Sequence, residues 1–189
     1  MFGSMKVNYL LIVLILMFSH CVFAQNKANL KAELGSYHHL LNNSPSKFFH
    51  QLNKIKANLS NYDLHSQEFY WTLYCDAAVR MELYTEVVEV VDNQLAKGQS
   101  SLIPETKSLL LVCRADAKQY LGKTDQSILD YKQAIEYAAA INAIDIEANA
   151  LMKLGELHAF LSHYAQAQKL LHRAFKLSQQ SNDGIVKQE

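Results

Sequence analysis

The stretch "LMKLGELHAFLSHYAQAQKLLHRAF", residues 151–175, decides the fold. Its apolar positions recur at three- and four-residue steps on both sides of a break near Ser162, so it reads as two amphipathic helices in a hairpin. Shifting the chain against itself by 40 residues, twice, brings the same pattern back into register. Leu151 falls on Leu111 and Trp71, and Gly155 falls on Ala115 and Cys75, all small. Leu161 meets Leu121 and Met81, Tyr164 meets Thr124 and Tyr84, and Ala167 meets Ser127 and Val87. In the second helix Leu171, Ala174 and Phe175 meet Tyr131, Ala134 and Ile135, then Val91, Gln94 and Leu95. Large residues fill the space between helices, and a small one a turn away lets the antiparallel partner approach. One such pair cannot bury both of its apolar faces, so each must stack on its neighbours. The expectation is an all-α protein, an α-solenoid of antiparallel helix pairs with a period of 40 residues. No alternating apolar segment demands a strand.

Composition narrows the function classes. The chain has 189 residues, half of them apolar, enough for one compact core or a short repeat array. Its 18 basic and 18 acidic residues cancel, and no basic stripe interrupts that balance, so nothing draws it broadly to nucleic acid or anionic lipid. There is no G-x-S-x-G elbow and no phosphate-cradling glycine loop, and the six glycines fall mostly near helix ends. No catalytic residue and no cofactor are therefore assigned. His38, His39, His158, His163 and His172 invite a metal reading, because imidazole is the commonest metal-binding side chain. The step from His158 to His163 does not put both on one helical face, and no cysteine or carboxylate completes a local motif, so no metal site is expected.

The hairpin resembles a tetratricopeptide repeat. The residues that carry the likeness are Leu154, Gly155, Tyr164, Ala167, Leu171 and Ala174 over 148–180, then Leu111, Ala115, Gly122, Tyr131 and Ala134 over 108–141, and Trp71, Tyr84 and Leu95 over 68–97. His158 and Lys118 stand where that family usually has an aromatic, Gln94 replaces the small residue of the second helix, and the closing proline of each unit is missing. The additional length fits longer helices joined by polar connectors such as "INAID" (141–145). Arg114 falls on a face that the register otherwise assigns to the core.

Upstream, "SPSKFFHQLNKIKANL" (44–59) reads as a helix with Ser44 as N-cap, Pro45 in the first turn, and Phe48, Leu52, Ile55 and Leu59 on one face. Leu30, Leu34, Tyr37 and Leu41 supply its partner, making a degenerate pair over 28–60 within a repeat domain of 25–180. The connector "KGQSSLIPET" (97–106), with Gly98 and Pro104, separates helices rather than domains. Lys6, the apolar run "YLLIVLILMF" (9–18) and the small-residue end "CVFA" (21–24) read as an export signal cut after Ala24, which makes the protein periplasmic or secreted. An uncut signal is the alternative, leaving a membrane anchor. After export Cys75 and Cys113 remain, and they read as small core hydrophobes, with a disulfide between them as the alternative.

In tetratricopeptide repeats the first helix of each unit lines a concave groove. The resemblance then implies a peptide-binding face built from Phe69, Thr72, Asp76, Val79 and Arg80 in one unit. The next contributes Leu109, Val112, Asp116, Gln119 and Tyr120, and the last contributes Asn149, Met152, Glu156 and Phe160. Asp76, Asp116 and Glu156 share one phase, a ladder of carboxylates suited to a protein or peptide carrying Lys or Arg. The polar tail 181–189 offers no capping helix, so either the outer side of helix 165–179 is polar enough, through Gln166, Lys169, Arg173, Lys176 and Gln180, or the last apolar face meets a second copy of the protein, a partner, or further sequence.

A looser likeness joins the export signal, the degenerate pair and the long repeats. That order is similar to the extracytoplasmic sensory half of certain bacterial membrane signalling proteins, notably diguanylate cyclases. The resemblance implies a ligand-sensing role in a longer protein. No second apolar span and no "GGDEF"-like sequence occurs here, so cyclase activity is not implied.

Overall fold

The computed structural model describes residues 30, 34, 39–97 and 102–186. The expected export signal over 1–24, Tyr37 and His38 of the upstream helix, Gly98 of the connector and the end of the polar tail lie outside the described residues. Among the described residues every regular element is helical and no strand occurs, so the protein is all-α. The chain divides between Tyr70 and Trp71 into two compact units.

In the first unit residues 39–43 are helical, helix α1 spans Pro45–Lys56, and one 3-10 turn covers Leu59–Asn61. Pro45 suits the first turn, where no N–H donor is needed and its fixed φ is already helical. Ser44 occupies the N-cap position, but its side chain makes no capping bond. Its carbonyl accepts from the N–H groups of Lys47 at 3.0 Å and Phe48 at 3.1 Å. Phe48, Leu52, Ile55 and Leu59 are all buried, as their common helical face requires, and so are Leu30, Leu34 and Leu41. Helix α2, Leu64–Arg80, begins here. Asp63 caps it by accepting from the N–H of Ser66 at 3.0 Å and from the Ser66 hydroxyl at 2.9 Å. Tyr70 is fully buried, and its hydroxyl donates to the Leu52 carbonyl at 3.1 Å, so the polar end of the ring is satisfied.

The second unit takes the rest of α2 from Trp71 and adds α3 (Tyr84–Lys97), α4 (Pro104–Tyr120), α5 (Thr124–Ala140), α6 (Ile144–Phe160) and α7 (Tyr164–Val186). Helices α4, α5 and α6 have 17 residues each, and the short turns after them complete the forty-residue step read from the sequence. Glu82, Gly122 and Ser162 hold the same seat in successive hairpin turns, with left-handed φ values of 60°, 73° and 62°. The next residue then closes each turn in the same way. Leu83 N–H donates to the Ala78 carbonyl at 2.9 Å, Lys123 to Lys118 at 2.8 Å, and His163 to His158 at 2.8 Å. This six-to-one bond is the Schellman closure, which stops the helix and turns the chain back. Gly122 adopts the conformation freely, whereas Glu82 and Ser162 hold it against roughly 1–2 kcal/mol of backbone strain.

Neighbouring helices pack in sequence, α3 on α4, α4 on α5, α5 on α6 and α6 on α7, with α4 also touching α6. The buried cluster runs through Leu111, Ala115, Tyr131, Ala134, Leu151, Leu154 and Ala174. Leu111 and Leu151 are both buried, whereas Trp71 is half-buried, its ring edge-to-face with Tyr74 at 5.5 Å. Cys75, Ala115 and Gly155 are all buried, and the glycine has a steric reason. A Cβ at Gly155 would lie 2.8 Å from Cγ of Leu171. Two hydroxyls tie α4 to α5 through backbone carbonyls, Ser108 to Ala134 at 2.7 Å and Ser127 to Ala115 at 2.8 Å. Among the described residues no helix is long and apolar enough to cross a membrane.

Candidate functional site

The residues expected on the first-helix face lie on α2, α4 and α6. Phe69, in the first unit, is half-buried; so are Thr72, Val79, Leu109, Gln119 and Asn149 in the second. Val112 is 4% exposed and belongs to the core, because α4 is packed against α3, α5 and α6 and leaves that position no open side. Three large apolar side chains are held in water instead: Tyr120 at 65% exposure, Met152 at 41% and Phe160 at 82%. Tyr120 stacks on Tyr84 of α3 with ring centroids 4.6 Å apart and planes within 12°.

The three acids in one phase have three different environments. Asp76 pairs with Arg80 one turn on, at 3.2 Å, both groups partly exposed. Asp116 accepts a hydrogen bond from the Tyr131 hydroxyl, and Lys153 Nζ lies 2.9 Å from one of its oxygens and 3.1 Å from the other. Burial, and after it the Asp116 carboxylate, push the Tyr131 phenol far above the usual tyrosine range. Burial alone would lower the Lys153 ammonium, but Asp116 outweighs it and the group is raised. Glu156 is exposed and makes no ion pair among the described residues. Asp76 and Asp116 thus form ion pairs with cations of their own chain, whereas Glu156 forms none among the described residues and acts on Lys153 only from farther away.

Arg114 is explained by acids on two other helices. Its Nε and Nη2 clamp the Asp130 carboxylate of α5 at 2.8 Å and 2.7 Å, and its Nη1 reaches Asp92 of α3 at 2.5 Å. Lys118 Nζ completes the cluster 2.8 Å from Asp130. Burial would lower the guanidinium, but Asp130 and then Asp92 raise it, so the cation is held firmly charged. The sequence gives no local sign of this arrangement, because the partners stand 16 and 22 residues away.

His158 and His163 correct the spacing argument made from the sequence. They do not share a helix: α6 ends at Phe160, and the Ser162 turn swings His163 back until the two Nδ1 atoms lie 3.3 Å apart. Among the described residues no group of three or more metal-ligating side chains gathers. Cys75 and Cys113 are free thiols. The hydrogen bond to Cys75 and then burial push the Cys113 thiol well above its ordinary pKa, which keeps it protonated and unreactive.

Comparison with protein-family models, with curated proteins and with solved structures finds no match for this chain. What it does is therefore argued from its own residues.

Proposed function

We propose that this protein is an exported binding scaffold, a right-handed α-solenoid similar to tetratricopeptide repeats, which holds a protein or peptide on the face formed by the first helix of each hairpin. The observation that carries the reading is the exposure of Tyr120, Met152 and Phe160 on α4 and α6, although Val112, in phase with Met152, is buried. Exposed aromatic and methionine side chains on a fixed helical face supply contact area at small entropic cost, which is the chemistry of recognition rather than of a water-excluding reaction centre. The paired state of Asp76 and Asp116 sets the charge preference. A ligand finds one carboxylate, Glu156, with no ion pair among the described residues, between Met152 and Phe160, so one cationic side chain among apolar anchors fits better than a strongly basic segment.

Selection of a displayed random-peptide library on the full chain tests this. Selected peptides should carry aromatic or aliphatic anchors with a single Lys or Arg. Tyr120→Ser with Phe160→Ser should weaken them at least tenfold, and Glu156→Gln should weaken them less. Undiminished binding to the double variant removes the first-helix face from the account.

A further inference from the structure

The forty-residue register carries the surroundings of Arg114 onto α5, α6 and α7, and there the chemistry changes. Asp92, Arg114, Lys118 and Asp130 become Lys132, Leu154, His158 and Leu170. Where side chains of the chain itself close the earlier position with ion pairs, the later one is an open-sided cleft of about 630 Å³, inside the roughly 300–1,000 Å³ typical of small-ligand sites. Ile135, Leu151, Leu154 and Leu170 make its floor apolar. Lys132, Lys169 and Arg173 stand on its rim, with Glu136 the one acid of the lining among the described residues. Arg173 is engaged by Glu147, whereas Lys132 and Lys169 are exposed and make no ion pair among the described residues.

Leu151 and Leu154 are already buried in the core, so the apolar surface that the cleft still offers comes from the half-buried Leu170 beside Ile135, and a body lying there would gain hydrophobic contact. A rim of ammonium groups with no ion pair among the described residues raises the local positive potential; His158 is held below its ordinary pKa by partial burial first, then by His163, and last by Lys132 of that rim. At the earlier position the carboxylates of Asp92 and Asp130 balance the Arg114 guanidinium. At the later one Leu154 and Leu170 take the seats of Arg114 and Asp130, and among the described residues Glu136 is the one acid of the lining, set against Lys132, Lys169 and Arg173.

We propose that the cleft between α5, α6 and α7 binds an anionic amphiphile, a monocarboxylic acid with an alkyl body, whose chain lies against Leu170 and Ile135 and whose carboxylate meets Lys132 and Lys169. No residue of the first-helix face lines this cleft. The two sites therefore fail or survive separately.

Titration calorimetry of the full chain with dodecanoate, kept below its micelle-forming concentration, tests the proposal, with dodecanol as the uncharged probe. Dodecanoate should bind saturably at one site and at least tenfold more tightly than dodecanol. Lys132→Glu with Lys169→Glu should lower its affinity at least tenfold with an unchanged circular dichroism spectrum, while the charge-matched control Lys47→Glu with Lys54→Glu, in the first unit, should leave it unaltered. Absence of saturable binding, equal affinity for the alcohol, or equal loss in both double variants overturns the assignment. So does a dimer in sedimentation that Lys132→Glu with Lys169→Glu dissociates, which gives the cleft to a second copy. A leucine–glutamate peptide that binds where dodecanoate does not gives it to an acidic protein segment and equally overturns it.

Discussion

Two joints of the second unit, α3 with α4 and α5, and α5 with α6 and α7, stand one repeat apart and are closed by opposite means. The first holds Arg114 between Asp130 and Asp92, with Lys118 beside them. The second puts Leu154 and Leu170 in the corresponding seats and leaves Lys132 and His158 at the mouth. Both keep a buried leucine, Leu111 or Leu151, and a buried small residue, Ala115 or Gly155. The comparison teaches that two layers of sequence act independently. The leucine and small-residue positions, with their left-handed turns, set the spacing of helices, and a second set of positions decides whether the gap between second helices is filled by the chain or left for something else.

The sharpest way to break that comparison is to remove the cation alone. Asp130 has a side chain only 5% exposed, so Arg114→Leu strips it of its two-point clamp and leaves Lys118 as its remaining partner. The expected loss is about 3 kcal/mol in urea unfolding, since an uncompensated buried charge is what makes a broken pair costly. Taking out the carboxylate with its clamp, with Asp92→Lys, Arg114→Leu and Asp130→Leu together, should recover part of that loss, because the buried anion goes with its cation although Lys118 is left without Asp130. A triple variant as unstable as the single one means the joints are not interchangeable.

The reverse exchange is gentler. Leu154→Arg puts a cation over the open cleft with no Asp92 or Asp130 to meet it, but the long stem can lie on the apolar floor while its head stays in water. A loss of about 2 kcal/mol is expected, chiefly from leucine packing given up in the core. Adding Leu170→Asp should recover part of it, and a double-mutant cycle showing no favourable coupling would remove the proposed equivalence of the two joints.

The spacing layer has its own test at Gly155. An alanine there gains about 1 kcal/mol of helix propensity over glycine, but its Cβ enters the space of Leu171 Cγ, 2.8 Å away, and overpacking costs about 1–3 kcal/mol. Gly155→Ala should therefore destabilise by about 1 kcal/mol, whereas in a Leu171→Ala background the same change should stabilise. Ala115 shows that the preceding joint already accommodates a methyl at the corresponding position.

How far all this was legible follows from the range over which each feature is encoded. The helices, the turn near Ser162 and the buried Leu111, Ala115, Leu151 and Gly155 are written in steps of three, four and forty residues, and the structure has them where the pattern put them, except that α7 runs on to Val186, into the stretch 181–189 read as a polar tail. Val112 was assigned to a surface because helical phase says which residues share a face, not how many neighbours enclose it. Arg114 stood out in the register as a charge on a core-facing position, yet its partners on α3 and α5 have no fixed spacing to it. The His158–His163 contact was missed because a face argument assumes one continuous helix, and the left-handed Ser162 breaks it between them. The cleft left no periodic mark, since it is an absence of the charges found forty residues earlier.

The smallest expected effect separates the joints by titration. His158 holds its proton less firmly in the folded chain than when unfolded, through partial burial, then His163, then Lys132. Below the unfolded value of about 6.5 the unfolded chain binds more protons than the folded one, so stability contributed at neutral pH is lost as the pH falls from there towards the folded value. The corresponding residue of the first joint is Lys118, paired with Asp130, so that joint has no imidazole at this seat. Urea midpoints should therefore fall on acidification in this window, His158→Gln should flatten the slope, and His163→Gln should reduce it by removing one of the repelling groups. An unchanged slope in both variants would mean that the charge of the second joint is screened by water, and with it the idea that its rim presents an unbalanced positive field.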